Sequence, residues 1–160
     1  MSAPGQERIE ARLVELGITL PQRRTPSIAH LVKTARTGDL LFVSGHGPRD
    51  QVGEIVHKGK LGAELTTAEG QDAARLCVLG CLSSVRDALG SLDRVRRVVK
   101  ATGYIASDPG FFEQPQVMNG ASDTLIDIFG EHGQHSRVAI GVAVIPHNMA
   151  MEVEMILEVD

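Results

Sequence analysis

Arg137 and Glu152 are two residues near the end of the chain that could bind and transform a small acid. Arg137 precedes an apolar, β-branched run at 138–145, and Glu152 opens residues 151–159, where apolar and mostly acidic residues alternate. Both patterns predict strands, and the turn residues at 146–148 predict that the two strands pair antiparallel. A guanidinium held near a carboxylate on a rigid sheet suits recognition of a small carboxylated molecule.

Each of these side chains also has an ordinary structural explanation. Arg137 could pair with an acidic surface residue, in an exposed ion pair that contributes about 1 kcal/mol or less. Glu152 and Glu154 share a face of their strand, so both could be solvated on the exposed side of an edge strand. On the functional interpretation, Arg137 binds a carboxylate with two donors, and Glu152 orients a water molecule or accepts a proton.

A second candidate stretch contains Ser44, Gly45 and His46 at the end of a predicted strand. Two glycines flank the histidine and allow the backbone to approach a ligand closely, although a plain turn or bulge would also explain them. His46 is the best general acid–base candidate without a role, but His46 and His147 could both be loop histidines. Asn119, near a predicted helix start, fits either a helix cap or a ligand contact.

Hydrophobic periodicity predicts three helices and five strands. The predicted helices are 6–16, 66–89 and 116–129, and the predicted strands are 30–34, 40–44, 98–106, 138–145 and 151–159. Thr66 and Glu69 fit a capping box at the second helix. The predicted core face of the third helix is Val117, Leu125, Ile126 and Phe129. After the first helix the order is β-β-α-β-α-β-β, which predicts an α+β fold with helices on one sheet face. The other face stays open, and this favours oligomerisation.

The composition excludes several classes of function. The chain has 160 residues, a net charge of -4, 3% aromatic residues and no tryptophan, so we expect one domain and no nucleic-acid partner. It has no apolar run of about 20 residues, and its first residues lack a signal-peptide pattern, so we expect no membrane partner and a cytoplasmic protein. Cys77 and Cys81 lack further metal ligands at zinc spacing, so we expect two buried thiols and no metal. The sequence contains no phosphate-binding or dinucleotide-binding motif, so we expect no cofactor.

The closing stretch resembles the signature of the YjgF-type Rid proteins, the reactive-intermediate imine deaminases. In that signature an arginine is followed eight residues later by Leu-Pro, and then by a strand reading Val/Ile-Glu-Val/Ile-Glu. The matching residues here are Arg137, Ile145-Pro146 and Glu152-Val153-Glu154. Phe42-Val43-Ser44-Gly45 and Asn119 resemble less specific family features. The resemblance covers about residues 28–159, so we divide the chain into an N-terminal helix and linker, 1–27, and a YjgF/Rid-like domain, 28–160.

The resemblance implies a chorismate-mutase-like α+β fold and a homotrimer. In such a trimer the sheets form a central barrel, and three sites lie in clefts between subunits. The resemblance also implies that Arg137 binds the substrate carboxylate with the backbone amide of Ala139, and that Glu152 helps to position the attacking water. The further substrate-binding residues would be Ser44, Gly45, His46 and Asn119. The implied reaction is hydrolysis of a small carboxylated enamine or imine to a 2-oxo acid and ammonia, without metal or cofactor.

Three positions depart from the deaminase pattern. Leu31 stands where the family has a tyrosine, Ala139 where it has a cysteine, and His46 where archetypal members have glutamine. These departures resemble a longer, divergent branch and motivate a second hypothesis, a non-catalytic trimer that binds a small metabolite. A third hypothesis is RNA cleavage, because some members carry an endoribonuclease label, and the acidic net charge counts against it.

Overall fold

A computed structural model describes residues 8–22 and 30–160 of the chain. The predicted boundary between residues 27 and 28 lies outside the described residues. The helices are α1 (Ile9–Glu15), α2 (Thr67–Leu89) and α3 (Gln114–Phe129), and the strands are β1 (Thr34–Thr37), β2 (Leu40–His46), β3 (Val95–Ala106), β4 (Ser136–Val142) and β5 (Met151–Val159). The predicted order β-β-α-β-α-β-β and the α+β class are confirmed.

The five strands form one sheet in the order β1-β2-β5-β3-β4. The prediction that the last two strands pair with each other is wrong, because β3 lies between them. β5 pairs antiparallel with β2 and β3, whereas β4 pairs parallel with β3. The helix α3 connects β3 to β4, and a helical crossover returns the chain in a parallel direction. The turn residues at 146–148 therefore begin a connection that leads from β4 past β3 to β5, and they do not form a hairpin between β4 and β5.

The alternation along β5 assigns the two faces of the sheet. Its odd-numbered residues from Met151 to Val159 are buried, while Glu152, Glu154, Ile156 and Glu158 are not. The buried face packs against α2 and α3 in one hydrophobic core. The opposite face lacks a covering layer in the described part of the chain, and Phe42, Val138 and Ile140 are exposed there.

Capping chemistry fixes the start of α2 where the sequence predicts it. The Thr66 side chain accepts the backbone N–H of Glu69, and the Glu69 carboxylate accepts the backbone N–H of Thr66. This reciprocal pair satisfies two donors that the first turn of a helix leaves free. Gly90 ends α2 in the left-handed conformation, with φ of 82°.

The short α1 joins the same core through Ile9 and Leu13. Glu10 anchors its polar side, since its carboxylate receives two N–H bonds from Arg86, of 3.1 and 2.7 Å, and one from the backbone of Leu92 at 2.9 Å. The N-terminal helix is therefore tied to α2 and to the segment before β3.

Two local predictions are wrong. The first strand lies at Thr34–Thr37 rather than at 30–34, and a two-residue turn at Gly38 and Asp39 connects it to β2. Ile126 was expected in the core face of α3 but is 41% exposed, because Leu125, Ile128 and Phe129 fill the face that meets the sheet.

Candidate functional site

Arg137 is held on the edge strand β4 by acceptors that carry no charge. Its Nη1 donates to Asn119 Oδ1 at 3.0 Å and to Ser122 Oγ at 3.1 Å, and its Nη2 donates to the Pro115 carbonyl at 3.1 Å. Within residues 8–22 and 30–160, no carboxylate lies at ion-pair distance from this guanidinium. The alternative explanation, an ordinary surface ion pair, is therefore not supported among the described residues. The side chain is oriented, and its charge is left for another anion.

Asn119 is not a helix cap. The helix α3 begins at Gln114, so Asn119 lies in its second turn, and its side-chain oxygen accepts from Arg137. Ser122 follows three residues later, on the same face of the helix, and contacts the same Nη1 atom. The structure places Arg137 and Asn119, two of the predicted substrate-binding residues, in contact. Asn119 makes this contact from the second turn of α3 and not from the start of the helix.

A histidine fixes the hydroxyl group that contacts Arg137. His135 Nδ1 lies 2.6 Å from the carbonyl of Gly133, which can only accept, so Nδ1 carries the proton in the neutral ring. His135 Nε2 then accepts the hydroxyl proton of Ser122 at 3.1 Å. With its proton committed to His135, Ser122 presents oxygen lone pairs to Arg137.

Ala139 directs its backbone N–H to the open edge of the sheet. The Val142 carbonyl accepts from Ser107, so it points toward β3. Because N–H and C=O groups alternate in direction along a strand, the N–H of Ala139, three residues earlier, points away from β3. Among the strands that the structure describes, none pairs with that edge. The guanidinium of Arg137 and the amide of Ala139 thus belong to one edge.

Glu152 lies on the open sheet face, next to Gly45 of β2. A Cβ on Gly45 would stand 2.6 Å from the carboxyl carbon of Glu152, so only glycine admits the carboxylate at this place. Burial raises the pKa of Glu152, and the neighbouring charge of Glu154 raises it further. Tyr104 donates to Glu154 at 3.2 Å. Glu152 is thus a half-buried carboxylate beside a glycine, and its raised pKa makes it a stronger proton acceptor than an ordinary carboxylate.

His46 faces a cavity on the other side of β2. A register shift between Val43 and His46 places one extra residue in β2, and His46 then pairs with Val153, whose side chain points toward the helices. His46 lies against Gly80 and Ser84 of α2, with Nε2 at 2.8 Å from Ser84 Oγ. Burial lowers the pKa of His46, although the Ser44 carbonyl partly opposes this. The plain-loop interpretation is wrong for His46, whereas His147 lies exposed in a turn.

The cavity beside His46 measures about 260 Å³. Ser44, Gly45, His46 and Glu152 all line it, so the structure brings these four predicted residues together. Ser84 and Ser83 of α2 line it as well and were not singled out from the sequence. The position of Ser84 within the apolar stripe of α2 is the signal that could have identified it.

The predicted residues form two separate groups in one chain. Arg137 is level with Ala101 and Met155, whereas Glu152 is level with Tyr104, three positions further along β3. Two strand spacings and three residue rises put the two backbones about 14 Å apart. Arg137 also shares the helix-covered face with Ala101, while Glu152 points to the open face. The predicted meeting of Arg137 and Glu152 within one chain is therefore wrong.

Neither metal chemistry nor thiol chemistry is supported in the described ranges. Residues 8–22 and 30–160 contain no group of three or more His, Cys, Asp or Glu side chains that could hold a metal ion. Cys77 and Cys81 are buried free thiols, and burial raises the pKa of both. In the same ranges, no helix combines the length and the apolar character needed to cross a membrane.

Known proteins resemble the chain over nearly all of its length. Residues 10–159 match the family described as YjgF/chorismate mutase-like, putative endoribonuclease. Protein TCP17 of Trypanosoma cruzi is 45% identical over 161 residues, which cover 100% of this chain and 99% of TCP17. The crystal structure of Atu1372 from Agrobacterium tumefaciens, a protein described as of unknown function, is 42% identical with a TM-score of 0.87 and covers 97% of this chain and 96% of its own. A Shewanella oneidensis MR-1 protein described as a putative endoribonuclease is 33% identical with a TM-score of 0.90 and covers 96% of this chain and 100% of its own.

Proposed function

We propose, from the premise that the chain belongs to the YjgF/chorismate-mutase-like family, that it is a Rid-type hydrolase acting on small carboxylated enamines and imines. Water adds to the carbon of the C=N bond, and the resulting amino alcohol expels ammonia to leave a 2-oxo acid. An enamine first takes a proton on carbon to become the imine. The C=N bond is already electrophilic, so positioning and one polarising charge suffice, without metal or cofactor.

The oriented, uncompensated charge of Arg137 is the observation that carries this proposal. Three of its N–H donors are bound by Asn119, Ser122 and the Pro115 carbonyl, which are neutral. These contacts fix the plane of the guanidinium without neutralising it. A fixed plane favours a bidentate bond with a carboxylate, which a lysine ammonium cannot reproduce. The outward N–H of Ala139 on the same edge adds a further donor for the anion.

The separation of the two residue groups supports a site shared between copies of the chain. Arg137, Ala139 and Asn119 lie at the β4 edge, and Glu152 with Gly45 lies across β3 on the open face. A second copy can bring its own Glu152 to the Arg137 of the first. The exposed apolar residues of the open face, among them Phe42 and Ile140, favour burial against such a copy. We propose a homotrimer, in which three equivalent clefts would each combine both groups.

Glu152 is assigned the handling of water. Its carboxylate would accept a proton as water attacks the imine carbon and return a proton to the departing amine. Its raised pKa brings the group closer to neutral pH, where a base of this kind is most effective. Gly45 keeps the backbone of β2 close to this carboxylate.

RNA cleavage and binding without turnover are the alternatives. The net charge of -4 and the 3% aromatic content favour a small molecule over RNA, because phosphate contacts and base stacking would need basic and aromatic residues. Leu31 and Ala139 differ from the deaminase pattern and keep binding without turnover as the main rival. It predicts affinity for small carboxylates with no release of ammonia.

The test is release of ammonia and 2-oxo acid from 2-iminopropanoate and 2-iminobutanoate, generated in place by an amino-acid oxidase. We expect the protein to accelerate the release and Arg137→Ala to abolish the acceleration, with no rescue by Arg137→Lys. Arg75→Ala is the matched control, since Arg75 is exposed on α2 and pairs with Asp72. Turnover that persists in Arg137→Ala would remove the proposed role, and carboxylate binding without any acceleration would favour the rival.

A further inference from the structure

The cavity beside His46 extends from the proposed reaction site into the chain. Glu152 and Gly45 line one part, and Ser83, Ser84 and His46 line another part, against α2. Its volume of about 260 Å³ equals roughly nine water molecules at about 30 Å³ each. That volume suits the side chain of a metabolite rather than a drug-sized ligand.

Both serine hydroxyls of the α2 wall have committed their protons. His46 Nδ1 lies 2.6 Å from the Ser44 carbonyl, which can only accept, so the neutral ring carries its proton there. His46 Nε2 must therefore accept from Ser84, at 2.8 Å. Ser83 donates to the Pro21 carbonyl, also at 2.8 Å. The two oxygens consequently offer lone pairs, not protons, to whatever enters the cavity.

Charges of both signs line the remaining wall. Arg49 donates one N–H to the Gly53 carbonyl at 2.8 Å, and its guanidinium carries further donors. Lys33 supplies a second positive charge, while Asp50 and Glu152 supply negative ones. The wall thus combines donors near Arg49 and Lys33 with acceptors at the two serines, and its charges balance.

We propose that this cavity receives the side chain of the substrate and selects 2-imino acids whose side chain ends in a neutral carboxamide. The amide NH₂ group would donate to the lone pairs of Ser84 and Ser83, and the amide oxygen would accept from Arg49. The inference rests on the proposed function for the reaction, but the selectivity follows from the cavity itself.

Other side-chain ends match this wall less well. A carboxylate could accept from Arg49 but would meet only acceptor lone pairs at Ser83 and Ser84. An ammonium could donate to the two serines but would leave the donors of Arg49 without an acceptor. An apolar chain would desolvate the serine oxygens and leave them unpaired, and sites built for hydrogen bonds reject analogues that lack them.

Binding of stable amino acids tests the selectivity without any reaction, because they contain no C=N bond. The probes are L-glutamine, L-norleucine, L-glutamate and L-lysine, titrated calorimetrically into the intact assembled protein. We expect glutamine to bind at least about tenfold more tightly than each of the others. Equal affinity for glutamine and norleucine, or tighter binding of glutamate or lysine, would overturn the proposal.

Variants of the serine wall test the cause. Ser84→Ala should weaken glutamine binding by about tenfold, because one hydrogen bond to the ligand is lost. The affinity for norleucine should stay unchanged. Ser83→Ala tests the same wall if Ser84→Ala does not fold, and Ser91→Ala, a serine outside the cavity, is the matched control. Loss of glutamine and norleucine affinity together, or of neither, contradicts the assignment. Selective glutamine binding without turnover would refute only the hydrolase, and turnover with no side-chain preference would refute only the cavity inference.

Discussion

Mixing two inactive variants tests whether the reaction site is shared between chains. Arg137→Ala removes the anion-binding group, and Glu152→Gln removes the proton acceptor. Each variant alone should lose at least about 100-fold in turnover, equivalent to about 2.7 kcal/mol, as expected when one partner of a charged contact is removed. If the proposed homotrimer forms, the two variants co-expressed with different affinity tags should assemble into mixed oligomers, and activity should return in them.

The size of the recovery follows from the geometry. Because Arg137 and Glu152 are about 14 Å apart and on opposite sheet faces, the proposed site takes Arg137 from one chain and Glu152 from its neighbour. In an equal random mixture, half of the chains keep Arg137 and half of their neighbours keep Glu152. About one quarter of the sites are then complete, for a dimer or a trimer alike.

The measurement is ammonia release per chain, relative to the wild-type protein. The matched control mixes Arg137→Ala with the double variant Arg137→Ala, Glu152→Gln, in which no chain supplies the guanidinium, so no recovery is expected. Oligomers that carry both tags and stay inactive would refute the shared site. So would a protein that is fully active as a monomer.

Two further predictions concern Glu152. Gly45→Ala should lower turnover at least about tenfold, because the new Cβ displaces the Glu152 carboxylate. In the control Gly110→Ala the new Cβ makes only an ordinary contact, so this variant should keep full activity. Equal activity of both variants would contradict the proposed role of the close approach between Gly45 and Glu152. Glu154→Gln removes one cause of the raised pKa of Glu152, so the acidic limb of the pH profile for kcat/KM should move to lower pH without reaching the ordinary carboxyl value, since burial remains. Glu158→Gln, on the same face but not among the causes of that shift, should leave the limb in place, and a limb that moves equally in both would assign it to another group.

Much of the fold could be predicted because its signals are local. The capping box of Thr66 and Glu69 fixed the start of α2 to within one residue. The strict alternation of β5 assigned its two faces without any knowledge of its neighbours. The signature around Arg137 indicated the family, which the match over residues 10–159 confirms.

The order of the strands could not be predicted in the same way. Turn residues at 146–148 look like the tip of a hairpin, but β4 and β5 are separated by β3. The α3 crossover before β4 makes β4 parallel to β3, and β4 takes the sheet edge on the side of β3 opposite to β5. Local turn chemistry carries no information on which strand is inserted between two neighbours.

The bulge at the end of β2 explains why the Ser44-Gly45-His46 stretch resisted a single interpretation. One extra residue between Val43 and His46 turns Gly45 toward Glu152 and His46 toward α2. Consecutive residues therefore serve different ends of one proposed substrate, Gly45 the reacting carbon and His46 the side chain. Regular alternation from Val43 would place His46 on the open face of the sheet, and the extra residue places it on the helix side instead.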